Sequence, residues 1–179
     1  EGWGRILLDD ALYFSGDARR LWLRDVRHAE GLATGEVDTW RFQVAGSGAP
    51  LKITMVFMDQ PASLGAGLAP VNDLDLEVQG PTGLYRGNVI DALAGQSTTG
   101  GSPDALNDVE RVLLSAPATG EWIVRVRGAS VPLGPQGYAV VVNGALGARD
   151  LRTFADPGLD RAGSEAARSR GPSELTVDG

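Results

Sequence analysis

The stretch "PVNDLDLEVQGPTG", residues 70–83, sets Asp73 and Asp75 two positions apart, with Asn72 beside them and Glu77 next in phase. In an extended chain alternate side chains share a face. The three carboxylates therefore stand on one side of a strand whose other side carries Leu74, Leu76 and Val78. A second oxygen-rich group follows in "DALNDVE", which brings Asn107, Asp108 and Glu110. Carboxylates and amide oxygens are what a hard divalent cation such as calcium binds, roughly six to eight oxygens at a time. If the segment 87–109 folds back beside residues 72–78, then Asp59, Asn72, Asp73, Asp75, Asn107, Asp108 and Glu110 could converge on one ion. The ion would offset carboxylate repulsion and anchor a segment with few apolar residues of its own. The plainer reading makes Asp73, Asp75 and Glu77 a solvated outer face. No EF-hand spacing is present to decide between the two.

Other chemistry has less to work with. The single histidine, His28, ends the run "RLWLRDVRH" and reads as a surface or edge residue on a strand. A serine hydrolase needs nucleophile, base and orienting acid in mutual contact, and no GxSxG setting occurs. Ser47, in "AGSGAP", reads as part of a turn. Asp73 and Asp75 are too close in sequence to flank a sugar from opposite sides, and only Asp75 with Glu110 leaves glycoside hydrolysis geometrically open. Trp22 is out of phase with Leu21 and Leu23 and is expected to be exposed, as an interdomain contact or a carbohydrate platform.

The elements that must hold these groups are strands. "TWRFQV" turns Trp40, Phe42 and Val44 to one face, and "EWIVRVRG" sends Trp122, Val124 and Val126 inward with Arg125 and Arg127 outward. "GYAVVVNG" aligns Tyr138, Val140 and Val142. "LKITMVFM" is apolar on both faces, as a central strand would be. "ERVLLSA" at 110–116 is a further candidate. Turn signals such as "GPTG", "APATGE" and "PLGPQG" separate them. The pattern predicts an all-β jelly roll or β-sandwich of about eight strands. A long loop over residues 87–109 and a short helix in "GWGRILLDDAL" complete the expectation, and the chain after Ala145 reads as a linker or tail.

Bulk composition narrows the partners. The 179 residues carry a net charge of −7, which disfavours nucleic acid. Cysteine is absent, which removes disulfides, thiolate metal sites and a cysteine nucleophile. No apolar run reaches the ~20 residues of a membrane span. The chain opens on Glu1 and reads as an excised piece of a longer polypeptide.

The order "GWGRILLDDAL", "PLKITMVFMDQPAS", "VNDLDLEVQGPTGLYRGN", "NDVERVLLSAPATGEWIVRVRG", "VPLGPQGYAVVVNG" resembles the C-terminal jelly-roll domain of secreted subtilisin-like serine proteases of the large alkaline type. The eukaryotic proprotein-convertase P domain is a more distant likeness. The resemblance covers residues 1 to about 144. It implies that residues 1–14 are the end of an upstream catalytic domain, 15–145 the jelly roll and 146–179 a linker or tail. It places the catalytic Asp, His and Ser upstream, so this fragment is expected to be non-catalytic. Its expected partners are the catalytic subtilisin-like domain in the same chain and a protein substrate, and its expected setting is extracellular. It also implies bound calcium on "NDLD" (Asn72, Asp73, Asp75) and "NDVE" (Asn107, Asp108, Glu110), with Asp59 from "FMDQP". Asp108 stands where such domains often carry asparagine. The Ala/Ser/Thr/Gly-rich intervening segment speaks against a second metal site. The alternative is a carbohydrate-binding or adhesion jelly roll, which needs an exposed Trp22 beside Tyr13 or Tyr85.

Overall fold

A computed structural model describes residues 7, 8, 12, 14, 16–67 and 69–147. Nine strands lie within them: β1 (Arg20–Val26), β2 (Val37–Val44), β3 (Leu51–Val56), β4 (Asp73–Gly80), β5 (Gly83–Asp91), β6 (Gln96–Thr99), β7 (Val109–Leu114), β8 (Gly120–Ser130) and β9 (Tyr138–Gly144). All pair antiparallel, in two sheets of order β1-β9-β3-β7 and β2-β8-β4-β5-β6. The expected all-β sandwich is the observed architecture, with one strand more than the approximate count.

The core lies between the sheets. Trp40, Phe42, Val78, Trp122, Val124, Val126, Tyr138, Val140 and Val142 are all buried, on the phase read from the sequence. Burying each large apolar side chain contributes on the order of 1.5–3 kcal/mol. The β4–β5 hairpin turns through Pro81 and Thr82, and Gly83 takes φ 138°, a conformation that side chains resist. Gly80, at the end of β4, has no room for a Cβ because the Trp122 ring lies against it.

Four expectations change. Residues 87–109 are not one loop. β5 continues to Asp91, and the Asp91 carboxylate accepts the N–H groups of Leu93 and Ala94 to close a turn into β6. Gly95 at φ 63° completes that turn. The polar, small-residue make-up of this hairpin hides it from an apolar alternation test. β3 is not buried on both faces: Leu51, Ile53 and Met55 point inward, whereas Val56 is exposed. His28 is not on a strand but opens an exposed 3-10 turn, because β1 ends at Val26. Trp22 is half-buried rather than free: its ring packs on Trp40 and Phe42 at centroid distances of 5.7 and 4.9 Å.

The expected N-terminal helix and C-terminal tail fall mostly outside the described residues. Within them, Leu12 N–H donates to the Leu8 carbonyl, one helical turn. Leu146 bridges Val44 and packs on the core, so the sandwich extends past residue 145.

Candidate functional site

The site forms where β5 leaves β4. The two strands pair only from Glu77–Arg86 to Gly80–Gly83. Beyond that Asn88 adopts φ 60°, a left-handed conformation that asparagine tolerates better than most residues. The bend carries β5 toward β7. It leaves the Leu76 N–H of β4 without a strand partner, and Glu110 Oε2 accepts that bond at 2.8 Å. Glu110 shares its phase on β7 with buried Val112 and Leu114, so its side chain points into the sandwich and is fully buried. Gly87 is glycine for steric reasons, since a Cβ there would overlap the Glu110 carboxylate.

Asn88 ties the bend together. Its Nδ2 donates to Asp104 Oδ2 at 2.7 Å and to the Val109 carbonyl at 2.9 Å, and its Oδ1 accepts from the Arg111 N–H. Asp104 also accepts from Asn107 Nδ2 and the Leu106 N–H. Burial opposes ionisation of Asp104, but these donors prevail and hold its carboxyl below the usual range.

The remaining carboxylates are poised the other way. Burial, reinforced by Asp73 and Glu77, pushes Asp75 up to about 6, although Arg127 and Arg86 pull against it. Burial pushes Glu110 up to about 8; the Leu76 N–H opposes this, while the charges of Asp75, Asp104 and Asp73 add to it. Asp73 is raised by burial and by Asp104. Asp75 Oδ1 and Glu110 Oε1 are buried and have no hydrogen-bond partner. A buried ionised oxygen without a partner is costly.

Five of the seven residues expected to bind a cation line one cleft of about 270 Å³: Asp59, Asn72, Asp73, Asn107 and Asp108. Asp75 and Glu110 do not line that cleft, but both interact electrostatically with Asp73. The fold therefore brings the 72–75 and 107–110 segments together. Asp59 and Asn72, like Glu110 and Asn107, also have scaffold contacts. Asp59 accepts the N–H groups of Gln60, Val71 and Asn72 at 2.6–2.9 Å, which fastens the start of β4. Asn72 donates to the Leu133 carbonyl and Gln136 Oε1 and accepts from the Leu133 N–H. Among the described residues, no three acidic or histidine side chains are grouped so as to hold a metal by themselves. The donor chemistry, hard oxygens with two buried and unpartnered, nonetheless fits a hard divalent cation completed by amide, backbone or water oxygens.

Sequence reasoning missed Gly87, Asn88 and Asp104. The Gly-Asn dipeptide was a usable bend signal, whereas Asp104 enters only through the fold. Replacing Asp59 with alanine is expected to cost about 2–3 kcal/mol, since three N–H groups lose a charged acceptor. Urea denaturation measures it, and a loss below about 0.5 kcal/mol would show that water substitutes freely.

No family model matches this chain. A Dictyostelium discoideum protein named serine protease/ABC transporter B family protein tagB is 30% identical over 106 residues, covering 54% of this chain. The matched region is 5% of that relative's length, so the chain corresponds to a small part of it.

Proposed function

We propose that this chain is a non-catalytic β-sandwich module of a secreted subtilisin-like serine protease, which stabilises the protease domain or shapes access to its cleft and binds calcium. The partial likeness to a protease-named protein supports the first half, together with the resemblance carried by "NDLDL", "NDVE" and "SAPATGEW". The observation that carries the second half is the pair of buried, unpartnered oxygens on Asp75 and Glu110.

Asp75 and Glu110 would supply carboxylate oxygens to the ion, completed by amide, backbone or water oxygens, with Asp73, Asp59, Asn72, Asn107 and Asp108 lining the adjoining cleft and Asp104 beside them. A bound divalent cation supplies positive charge that lets these carboxyls ionise without mutual repulsion. The protein's part is to fix the two segments, through the Leu76–Glu110 bond and the Asn88 contacts. The carbohydrate-binding alternative has less support, because Trp22 is half-buried against the core and Tyr85 is buried against Trp122, while Tyr13 lies outside the described residues. Among the described residues no helix is long and apolar enough to cross a membrane.

Millimolar calcium is expected to raise the melting temperature and a chelator to lower it, because a ligand that binds only the folded state stabilises by mass action, about 2.7 kcal/mol at a hundredfold excess over Kd. Asp75→Ala should abolish the response. Superimposable melts with calcium and with chelator would remove the cation from the account.

A further inference from the structure

The β1-β9-β3-β7 sheet ends at β7, which pairs with β3 along one side. In an antiparallel pair the backbone groups of alternate residues turn toward the partner strand and those between turn away. On β7 the groups that turn away are met by side chains. The Arg111 N–H donates to Asn88 Oδ1 at 3.1 Å, the Leu113 N–H to Ser97 Oγ at 3.0 Å and the Ser115 N–H to Gln96 Oε1 at 3.4 Å. Asn88 Nδ2 in turn donates to the Val109 carbonyl at 2.9 Å. The outward backbone groups of alternate residues from Val109 to Ser115 are thus satisfied from β5 and β6, although neither strand is paired with β7 in a sheet.

A row of open N–H and C=O groups on an edge strand is a template for another strand, and proteins discourage that pairing with proline, lysine or a cover. β7 reads "VERVLL", with neither proline nor lysine, and its Glu110 is buried. The cover stands in for those devices. It also explains why the β5–β6 hairpin is polar where it meets an apolar strand. Ser97 is 4% exposed, and its hydroxyl oxygen faces β7. Gln96 holds the end of the row twice, since the Ser115 hydroxyl also donates to its Oε1 at 2.6 Å. An apolar side chain at either position would leave a β7 N–H without its acceptor.

The strand that fits a bared β7 edge is β7 of a second copy. Two such strands set antiparallel about a two-fold axis at Val112 place Arg111 opposite Leu113 and Val109 opposite Ser115. No like charges are opposed in that register, and the outward N–H groups meet carbonyls. We propose that Asn88, Ser97 and Gln96 form an edge seal that keeps β7 from pairing with β7 of a second copy. The seal stands independently of the function proposed above.

The test uses the full chain at about 0.15 M salt, where repulsion between copies is screened beyond roughly 8 Å. Ser97→Ala and Gln96→Ala, singly and together, remove acceptors, whereas Ser97→Thr keeps the hydroxyl. The natural protein and Ser97→Thr are expected to scatter light as monomers from micromolar to millimolar concentration. The double variant should be monomeric when dilute, with the Leu113 and Ser115 amides exchanging hydrogen at least tenfold faster than in the natural protein. When concentrated it should be dimeric, with those amides protected again. The Val112 and Leu114 amides, on the residues that turn toward β3, are the internal reference. An equal loss of protection there would overturn the proposal, because the side chains would then hold the fold and not the edge. A double variant that stays monomeric at every concentration would overturn it too, as would a natural protein that dimerises through β7. Should the double variant unfold, each single variant decides by the same two readings.

Discussion

Glu110→Gln is expected to stabilise the cation-free protein at pH 8.5 by roughly 2–4 kcal/mol and to change little near pH 4. Glu110 is buried, and its folded-state pKa of about 8 lies well above its ordinary value of 4.5. The folded state therefore retains a proton that the unfolded state releases. Stability is fully present below about pH 4.5, falls as pH rises through the window, and levels off above about 8. Asp75, raised to about 6, adds a decline in the same direction over a lower window. Glutamine keeps an oxygen for the Leu76 N–H and offers an amide to the unpartnered Asp75 oxygen, with no charge to bury. Urea midpoints measured from pH 4 to 9 should slope downward for the natural sequence and flatten for the variant. Under the calcium binding proposed above, the order reverses with calcium, since the natural carboxylates gain a partner and the glutamine does not. A natural protein whose metal-free midpoint is constant from pH 5 to 8.5 would contradict the buried-pair account.

That pair shows where sequence reading succeeds and where it stops. The strands around Trp40, Leu76, Val124 and Val140 were legible because apolar alternation and burial are the same physical fact on a half-buried strand. The β5–β6 hairpin was not, because its residues are small and polar and its turn depends on Asp91 and Gly95. Trp22 misled because its strand neighbours Leu21 and Leu23 are themselves apolar, which leaves phase ambiguous. Glu110 was singled out for its type, but its inward direction was readable too. It shares parity with Val112 and Leu114, and a glutamate on an inward row is a conflict that a functional site can explain. Asp104 could not be found this way, since only the bend at Asn88 brings it to the carboxylates.

Trp122→Ala should cost about 3–5 kcal/mol, the range for deleting a large aromatic from a packed core. Trp122 is 1% exposed. Its ring fills the space left by Gly80 and stacks on Tyr85 with centroids 5.9 Å apart and planes 25° from parallel. Its indole N–H donates to the Ala118 carbonyl at 2.9 Å. Alanine would empty that volume and remove a hydrogen-bond partner together, whereas Trp122→Phe removes the bond but keeps most of the packing and should cost half as much or less. Equilibrium urea unfolding followed by far-UV circular dichroism reads both. The loss bears on the proposed cation site because Gly80 and Tyr85 belong to the β4–β5 hairpin, whose other end carries Asp75 and Gly87. A domain stable by only about 5–15 kcal/mol would be left marginal, and calcium should then decide whether the variant is folded at 25 °C. A loss under 1 kcal/mol would mean that the hairpin is held from the end that carries Asp75 and Gly87 and not from Trp122.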